Sequence, residues 1–506
     1  MTNSSQVRTG SRSREIKEQL DHPVIDSDGH MLEFEPAVFD FISDLAGSDV
    51  VERFRSQSFA TNNFGSYCRN WLGQFLTPEA RLDDRAPRSP WWGIPAKRTF
   101  DRAAASLPAL LYENLDEVGL DFTVLFPTFG LYVMGLDVEE FRLAGVRAIN
   151  MYNAEAVRGL TDRMTSVAVI PMHTPDEAVA ELEFAVNELG FKAVTLQSHV
   201  IRPVPKMVRE HPDLAHYSHW IDNFCLDSIY DYEPVWAKCV ELGVSPTFHT
   251  PGYGWGTRAS VSNWMHNHIG AFACGAESAA RALFFGGVPQ RYPELRFGFL
   301  EGGVGWAATL FGDTIGHWKK RNRKTVMEYD PAQIDQVLLR DLFAKYGGTL
   351  AEGRLDRVGV SEMPFTAFAF DRDGVDQTEL DEFARSGVES PEDIKAIFDR
   401  YYIGCEADDP TNAFAFNDRV NPLGTKLNTL LSSDIGHFDV PDITEVLKEA
   451  YELVEDGLID DDDFRAFTFG TPARFWTATN PDFFAGTVVE KAVAALGAHE
   501  GAGSAV

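Results

Sequence analysis

Apolar residues follow two rhythms along this chain. Short apolar runs, each closing in polar or small residues, alternate with stretches whose apolar positions recur every three or four residues. The runs are PVIDSDGH (23–30), DFTVLFPTF (121–129), TSVAVIPMH (165–173), FKAVTLQSH (191–199), GVSPTFHT (243–250), LRFGFLEGG (295–303), YYIGCEADD (401–409) and KLNTLLSSD (426–434). They read as eight strands, while PDEAVAELEFAVNELG between the third and fourth has the spacing of an amphipathic helix. Strand, helix, strand in repetition requires a parallel sheet, and eight such units predict an α/β fold, a closed (β/α)8 TIM barrel.

The shortest unit, 165–199, sets the length one strand–helix repeat needs. Three connections exceed it, at about 31–120, 200–242 and 320–400. The expected organisation is therefore a single barrel over 21–490 with these insertions, between a polar leader (1–20) and a small-residue tail (491–506), both expected to be disordered. The first insertion carries GSYCRNWLGQF and PRSPWWGIP, and the last carries DRDGVDQTELDEF and ESPEDIKAIF. Connections of that length in a compact domain serve as lids or partner surfaces, and the partner expected is a second copy or a homologue of this chain.

Composition narrows the function. With 506 residues, 44% of them hydrophobic, the chain can bury a large core. A net charge of -31 argues against nucleic acid, whose phosphates are bound by clustered Lys and Arg, and against anionic membrane surfaces. No apolar run has the length needed to span a bilayer. The five cysteines (Cys68, Cys225, Cys239, Cys274, Cys405) form no CxxC pair, and the leader has no apolar core of a secretory signal. The expectation is a soluble cytoplasmic protein acting on a small molecule.

Candidate chemistry sits at the strand ends. Asp28 and His30, His173, His199, His249, Glu301 and Asp434 each close a run, and in a barrel those ends converge on one face. In an extended chain Asp28 and His30 point to the same side, with Gly29 facing away, so the two can share one metal ion. The plainer reading of any one of them is a turn residue or an imidazole bonded to a neighbouring loop. Carboxylates crowded at a barrel mouth nevertheless repel unless a cation or proton lies between them. Weaker candidates are His266 and His268 in WMHNHIGAF, which either reach the mouth or lie on the surface, and His437, placed to orient Asp434 or touch substrate. Trp91, Trp92, Trp264 and Trp306 hint at an aromatic pocket, although Trp is more often core.

DSDGH, TFHTP, RYPELRFGFLEGGVGWA and SSDIGHFD, in that order and at those strands, resemble the amidohydrolase superfamily, in its aminocarboxymuconate-semialdehyde decarboxylase branch of metal-dependent barrels. The resemblance runs over roughly 22–485 and includes the closing FTFGTPARFWTATNP. It implies that Asp28 and His30 occupy the family's first-strand HxH positions, here DxH, and that His249 is the fifth-strand ligand. Asp434 would be the eighth-strand Asp that binds metal and handles the proton of the attacking water. Glu301 stands where related decarboxylases carry a catalytic His, and His199 where dinuclear members place a bridging Lys or Glu.

A catalytic zinc takes three protein ligands, whereas six candidates gather here: Asp28, His30, His199, His249, Glu301 and Asp434. Either some act as acid or base beside one ion, or there are two ions; one tightly held divalent metal, zinc first and iron or manganese next, is expected. The reading is a metal-dependent hydrolase with Asp434, Glu301 and His199 as catalytic groups. Its rivals are a non-oxidative decarboxylase, a dinuclear-metal oxygenase, and a non-catalytic barrel paired with an active homologue.

Overall fold

The computed structural model describes residues 10–57, 77–88, 97–249, 256–329, 333–359 and 381–503. Cys68, Trp91, Trp92, the GSYCRNWLGQF stretch and residues 371–380 of the acidic run lie outside them. Each of the eight apolar runs contains a strand: β1 (Ile25–Met31), β2 (Phe122–Pro127), β3 (Met164–Ser166, resumed as Ala168–Ile170), β4 (Val194–Leu196), β5 (Pro246–Phe248), β6 (Phe297–Phe299), β7 (Tyr401–Glu406) and β8 (Asn428–Ser432). Every pairing among these eight is parallel. β3 breaks at Val167, whose N–H reaches Leu125 O of β2 at 3.0 Å, while the next N–H, of Ala168, reaches Ala193 O beside β4 at 3.0 Å. The ring closes where Asp434 N–H bonds Asp28 O (2.9 Å) and His30 N–H bonds Ile435 O (2.8 Å). The fold is a (β/α)8 barrel.

The helix Pro175–Glu183 shows why the intervening stretches wind as they do. Thr174 caps it by accepting the Glu177 N–H (3.2 Å), Pro175 fits the first turn, and Ala178 and Leu182 face the barrel. The floor is sealed by Phe475, Trp476, Phe483 and Phe484, which pack with Ile25, Phe122 and Leu430. Trp476 and Phe483 stack with centroids 5.0 Å apart, and Trp476 Nε1 donates to Ser27 Oγ at 3.2 Å, so the indole is buried with its polar atom satisfied.

The leader departs from expectation. From residue 10 onward it folds: helix Arg12–Lys17 is capped by Ser11, buries Ile16, and receives the Lys448 N–H on Ser13 Oγ at 3.0 Å. One apolar anchor, with Arg14–Glu117 and Lys17–Asp121 pairs at 2.9 Å, holds a segment too polar to be read as structured. In the tail, residues to 503 continue a helix, Glu490–Gly503. The 200–242 insertion contains a hairpin of Val200–Arg202 and Trp220–Asp222, fastened by buried Arg202 on Asp222 (2.6 Å). Cys225, Cys239, Cys274 and Cys405 are free thiols, and among the described residues no helix is long and apolar enough to cross a membrane.

Candidate metal centre

The two aspartates of DSDGH do different work. The β1–β2 ladder shifts register between Asp26 and Gly29. Asp26 accepts from Thr123 Oγ1 (2.6 Å), Ser433 N (2.9 Å) and Ser433 Oγ (2.8 Å), so its carboxyl ties β1 to β2 and to the end of β8. Asp28 and His30 turn into the mouth. Gly29 is required between them, because a Cβ there would stand 2.8 Å from Asp26 Oδ2 and 2.9 Å from Thr123 Oγ1.

Around these two gather the residues just past other strands: His249 after β5, Glu301 after β6 and Asp434 after β8. His249 Nε2 lies 3.2 Å from His30 Nε2 and 3.1 Å from Glu301 Oε2. His30 Nε2 lies 3.5 Å from Asp28 Oδ1 and 3.6 Å from Asp434 Oδ1. Two overlapping donor sets result, Asp28–His30–His249 and His30–Glu301–Asp434–His437, and within each the ligand atoms lie within 4.8 Å of one another. Glu301 (φ 56°) and Asp434 (φ 50°) both hold left-handed backbone, a conformation that costs a non-glycine residue about 1–3 kcal/mol. Two carboxylates are thus aimed into the mouth against local preference.

Electrostatics make the same point. Burial, and then the charges of Asp434, Asp26 and Glu406, push the Asp28 carboxyl well above its ordinary range. Burial, followed by Asp434 and Asp28, does the same to Glu301. Burial pulls His30 well below the usual imidazole value, with His437 and His249 adding to it. Neither oxygen of Asp28 accepts a hydrogen bond. Buried carboxylates are costly unless a cation compensates them, and among the described residues the main groups acting on Asp28 and Glu301 include no Lys or Arg. Imidazole and carboxylate donors converging in this way fit a divalent metal ion.

His437 completes the mouth. Its Nδ1 is 2.6 Å from Asp434 Oδ1, its Nε2 3.0 Å from Thr128 Oγ1, and its ring stacks on His30 with centroids 3.7 Å apart. Burial lowers its pKa, but the Asp434 charge and contact outweigh that and raise it above the ordinary value. Gly436, at φ 97°, lets the chain pass against His30, since a Cβ there would lie 2.7 Å from His30 O.

Other candidates fall elsewhere. His199, expected as a catalytic group, belongs to neither donor set: β4 ends at Leu196, and the buried ring lies 3.3 Å from Ser198 Oγ, its pKa drawn down to about 4 by burial. His268 is at the rim, stacked on Trp264 (4.3 Å) with Nε2 3.9 Å from Asp439 Oδ2, while His266 is exposed. His173 lies near Asp137, at 3.9 Å. Trp306 packs edge-on to Phe299 at 5.5 Å. Three residues went unread in the sequence: Thr128, Glu406 and Asp439. Glu406 also closes a strand, in GCEADD, so the strand-end rule applied to every run would have found it. Burial and then the Asp434 charge push Glu406 up to about 8 and Asp439 to about 7.

The sequence profile described as amidohydrolase matches residues 28–328, more than half of the chain. The chain belongs to the amidohydrolase family. Solved structures with a similar course include an amidohydrolase of Mycobacterium avium subsp. paratuberculosis K-10, 15% identical, covering 90% of this chain and 100% of that one with a TM-score of 0.50. The 5-carboxyvanillate decarboxylase of Sphingomonas paucimobilis is 14% identical over 90% of this chain and 98% of its own (TM-score 0.47). The dihydroxybenzoic acid decarboxylase of Polaromonas sp. JS666, solved with manganese and 2-nitroresorcinol, is 15% identical over 92% and 99% (TM-score 0.47). These likenesses concern the barrel. The family places the chain among enzymes, and its metal-dependent barrels are the setting in which the donor sets above make sense.

Proposed function

We propose that this amidohydrolase-family enzyme hydrolyses a small organic substrate, with Asp28, His30 and His249 holding a divalent metal ion and Glu301 and Asp434 completing its surroundings. A divalent ion at such a site supplies a polarised carbonyl and a water acidified to near pH 7. Asp434 is the base: it takes the proton of the attacking water, and His437, 2.6 Å away, orients the carboxylate, whose charge in turn raises the imidazole's pKa. Thr128 Oγ1 lies 3.0 Å from the far nitrogen of His437 and so holds the ring's orientation.

One observation favours hydrolysis over decarboxylation. Among the described residues the charged groups acting on Asp28, Glu301 and Glu406 are carboxylates, with no Lys or Arg, so a substrate carboxylate entering this mouth would find no cation but the metal ion to pair with. Replacement of the decarboxylases' sixth-strand His by Glu301 points the same way. A second reading, a dinuclear redox centre, draws on the two donor sets sharing His30 and on carboxylates that suit oxidised iron as well as zinc or manganese. Elemental analysis followed by a screen of small lactones, esters and amides separates these. Hydrolysis releases a carboxylic acid without gas exchange. Carbon dioxide release would replace the reading with a lyase, and iron with oxygen uptake would replace it with an oxygenase.

A further inference from the structure

We propose that Gln197 binds the substrate, its carboxamide oxygen accepting a hydrogen bond from an uncharged O–H or N–H close to the group that the metal polarises. This rests on Asp28, His30 and His249 holding that metal, and not on the reaction being hydrolysis.

The backbone aims Gln197 inward. Side chains alternate along a strand, and Ala193 packs in the floor with Phe475 and Phe484. Thr195 and Gln197, at intervals of two, follow it on the inner face of the barrel, while Val194 and Leu196 join the outer core with Leu182. β4 pairs with β5 so that Thr195 is level with Thr247 and Leu196 with Phe248. The His249 N–H carries that ladder one step further, onto Leu196 O at 3.1 Å. Thr247 is an inner residue too: a Cβ on Gly298 would meet its Cγ2 at 3.1 Å and the Phe475 ring at 2.8 Å. Gln197 and His249 are therefore the next inner pair, on strands about 4.8 Å apart. The amide stands beside a metal donor.

The carboxamide oxygen has no structural task. Gln197 is 2% exposed, yet its Oε1 accepts no hydrogen bond. Thr247 Oγ1 is committed to Val194 O (2.8 Å), and Thr195 Oγ1, one step deeper, has no partner either. The turn that follows is held by other groups, since Asn223 Nδ2 donates to Ser198 O (3.3 Å) and to Ser278 Oγ (3.0 Å). A buried amide left unpaired destabilises a fold, and Leu or Met would fill the same space without that cost. A ligand donor removes the cost.

Chemistry selects the ligand group. An amide oxygen accepts, so its partner must carry a proton, which excludes a carboxylate. An ammonium would be drawn instead to Asp28, Glu301 and Asp434. What remains is a neutral hydroxyl or amide N–H, and a buried acceptor discriminates sharply against analogues that lack one.

The test is calorimetric titration of the metal-loaded full chain with paired hydroxamates, which chelate a divalent ion whatever reaction follows. Acetohydroxamate and propanohydroxamate are compared with their hydroxylated forms, 2-hydroxyacetohydroxamate and 3-hydroxypropanohydroxamate. At least one hydroxylated member should bind wild type ~10-fold or more tightly than its parent, the scale set by leaving a buried acceptor unpaired. In Gln197→Met, which keeps the length, and Gln197→Leu, which keeps the bulk, that preference should disappear with metal content unchanged. A purely structural role would lower Tm in these variants and leave the preference in place. No preference in wild type, or one that survives both substitutions, would overturn the proposal. Failure of every hydroxamate to bind wild type would overturn the metal assignment, and this proposal with it. Carbon dioxide release or oxygen uptake in the activity screen would replace hydrolysis, and a preference that still depends on Gln197 would then uphold the proposal.

Discussion

His437 Nδ1 lies 2.6 Å from Asp434 Oδ1, and the same imidazole reaches Thr128 Oγ1 at 3.0 Å. A carboxylate at the metal site, an imidazole behind it and a hydroxyl behind that form a line along which a proton can be held. Asp434→Asn keeps the size and one acceptor oxygen but removes the charge and with it the proposed base. Turnover of an identified substrate should fall at least ~100-fold with the fold intact. Near-normal turnover would mean that Asp434 is not the base.

Thr128→Val should act differently. It removes the hydroxyl that lies 3.0 Å from His437 Nε2 and 3.4 Å from His30 Nδ1 while leaving every imidazole and carboxylate of the donor sets in place. Metal content should stay at the wild-type level, while the pH profile of kcat shifts because His437 loses its outer partner. An unaltered profile would reduce Thr128 to packing.

His249→Ala should lose bound metal and activity together, because His249 Nε2 is within 3.2 Å of His30 Nε2 and belongs to the same donor set. The fold should survive, since the barrel ladder does not run through this side chain. Full metal occupancy by mass spectrometry would rule the assignment out.

Chelation should lower Tm by several degrees, and the shift should be reversed in proportion to added metal. The cause is the crowd of carboxylates: without a cation, Asp28, Glu301 and Asp434 repel in a buried mouth. A Tm indifferent to chelator would show that protons alone neutralise the site.

Glu33, which belongs to neither donor set, gives a pH prediction. It is buried, accepts from Phe129 N (2.8 Å) and Gly130 N (3.2 Å), and burial raises its pKa to about 7. Its folded-state pKa stands above the unfolded value of 4.5, so its contribution to stability is fully present below pH 4.5 and is lost as pH rises through 7. The loss is on the order of 3 kcal/mol. Glu33→Gln should flatten the fall in stability between pH 5 and 8; an unchanged slope would place the titration elsewhere.

The barrel was legible because strand runs and helical spacing alternate eight times, and because residue types at strand ends are constrained by what they face. Asp28, His30, His249, Glu301 and Asp434 follow from that rule. His199 obeys the same pattern and yet belongs to neither donor set, because strand placement does not specify where the backbone turns after Leu196. Thr128 was missed since a hydroxyl carries no metal-ligand signal, and its partner His437 is 309 residues away. The folded leader was hidden for a similar reason: Ile16 is a lone apolar residue whose pocket is made by distant segments.

The sealed floor has a consequence for how this protein is made. Phe475, Trp476, Phe483 and Phe484 come from the last tenth of the chain, and the ring closes between Asp28 and Asp434, more than 400 residues apart. During synthesis the ribosome therefore carries an open, floorless cup until residues 475–484 clear the exit tunnel. The candidate donor set is incomplete until residue 437 and the apolar plug until residue 484, so a nascent chain stalled before them exposes its interior, and chaperone dependence should be concentrated before that point.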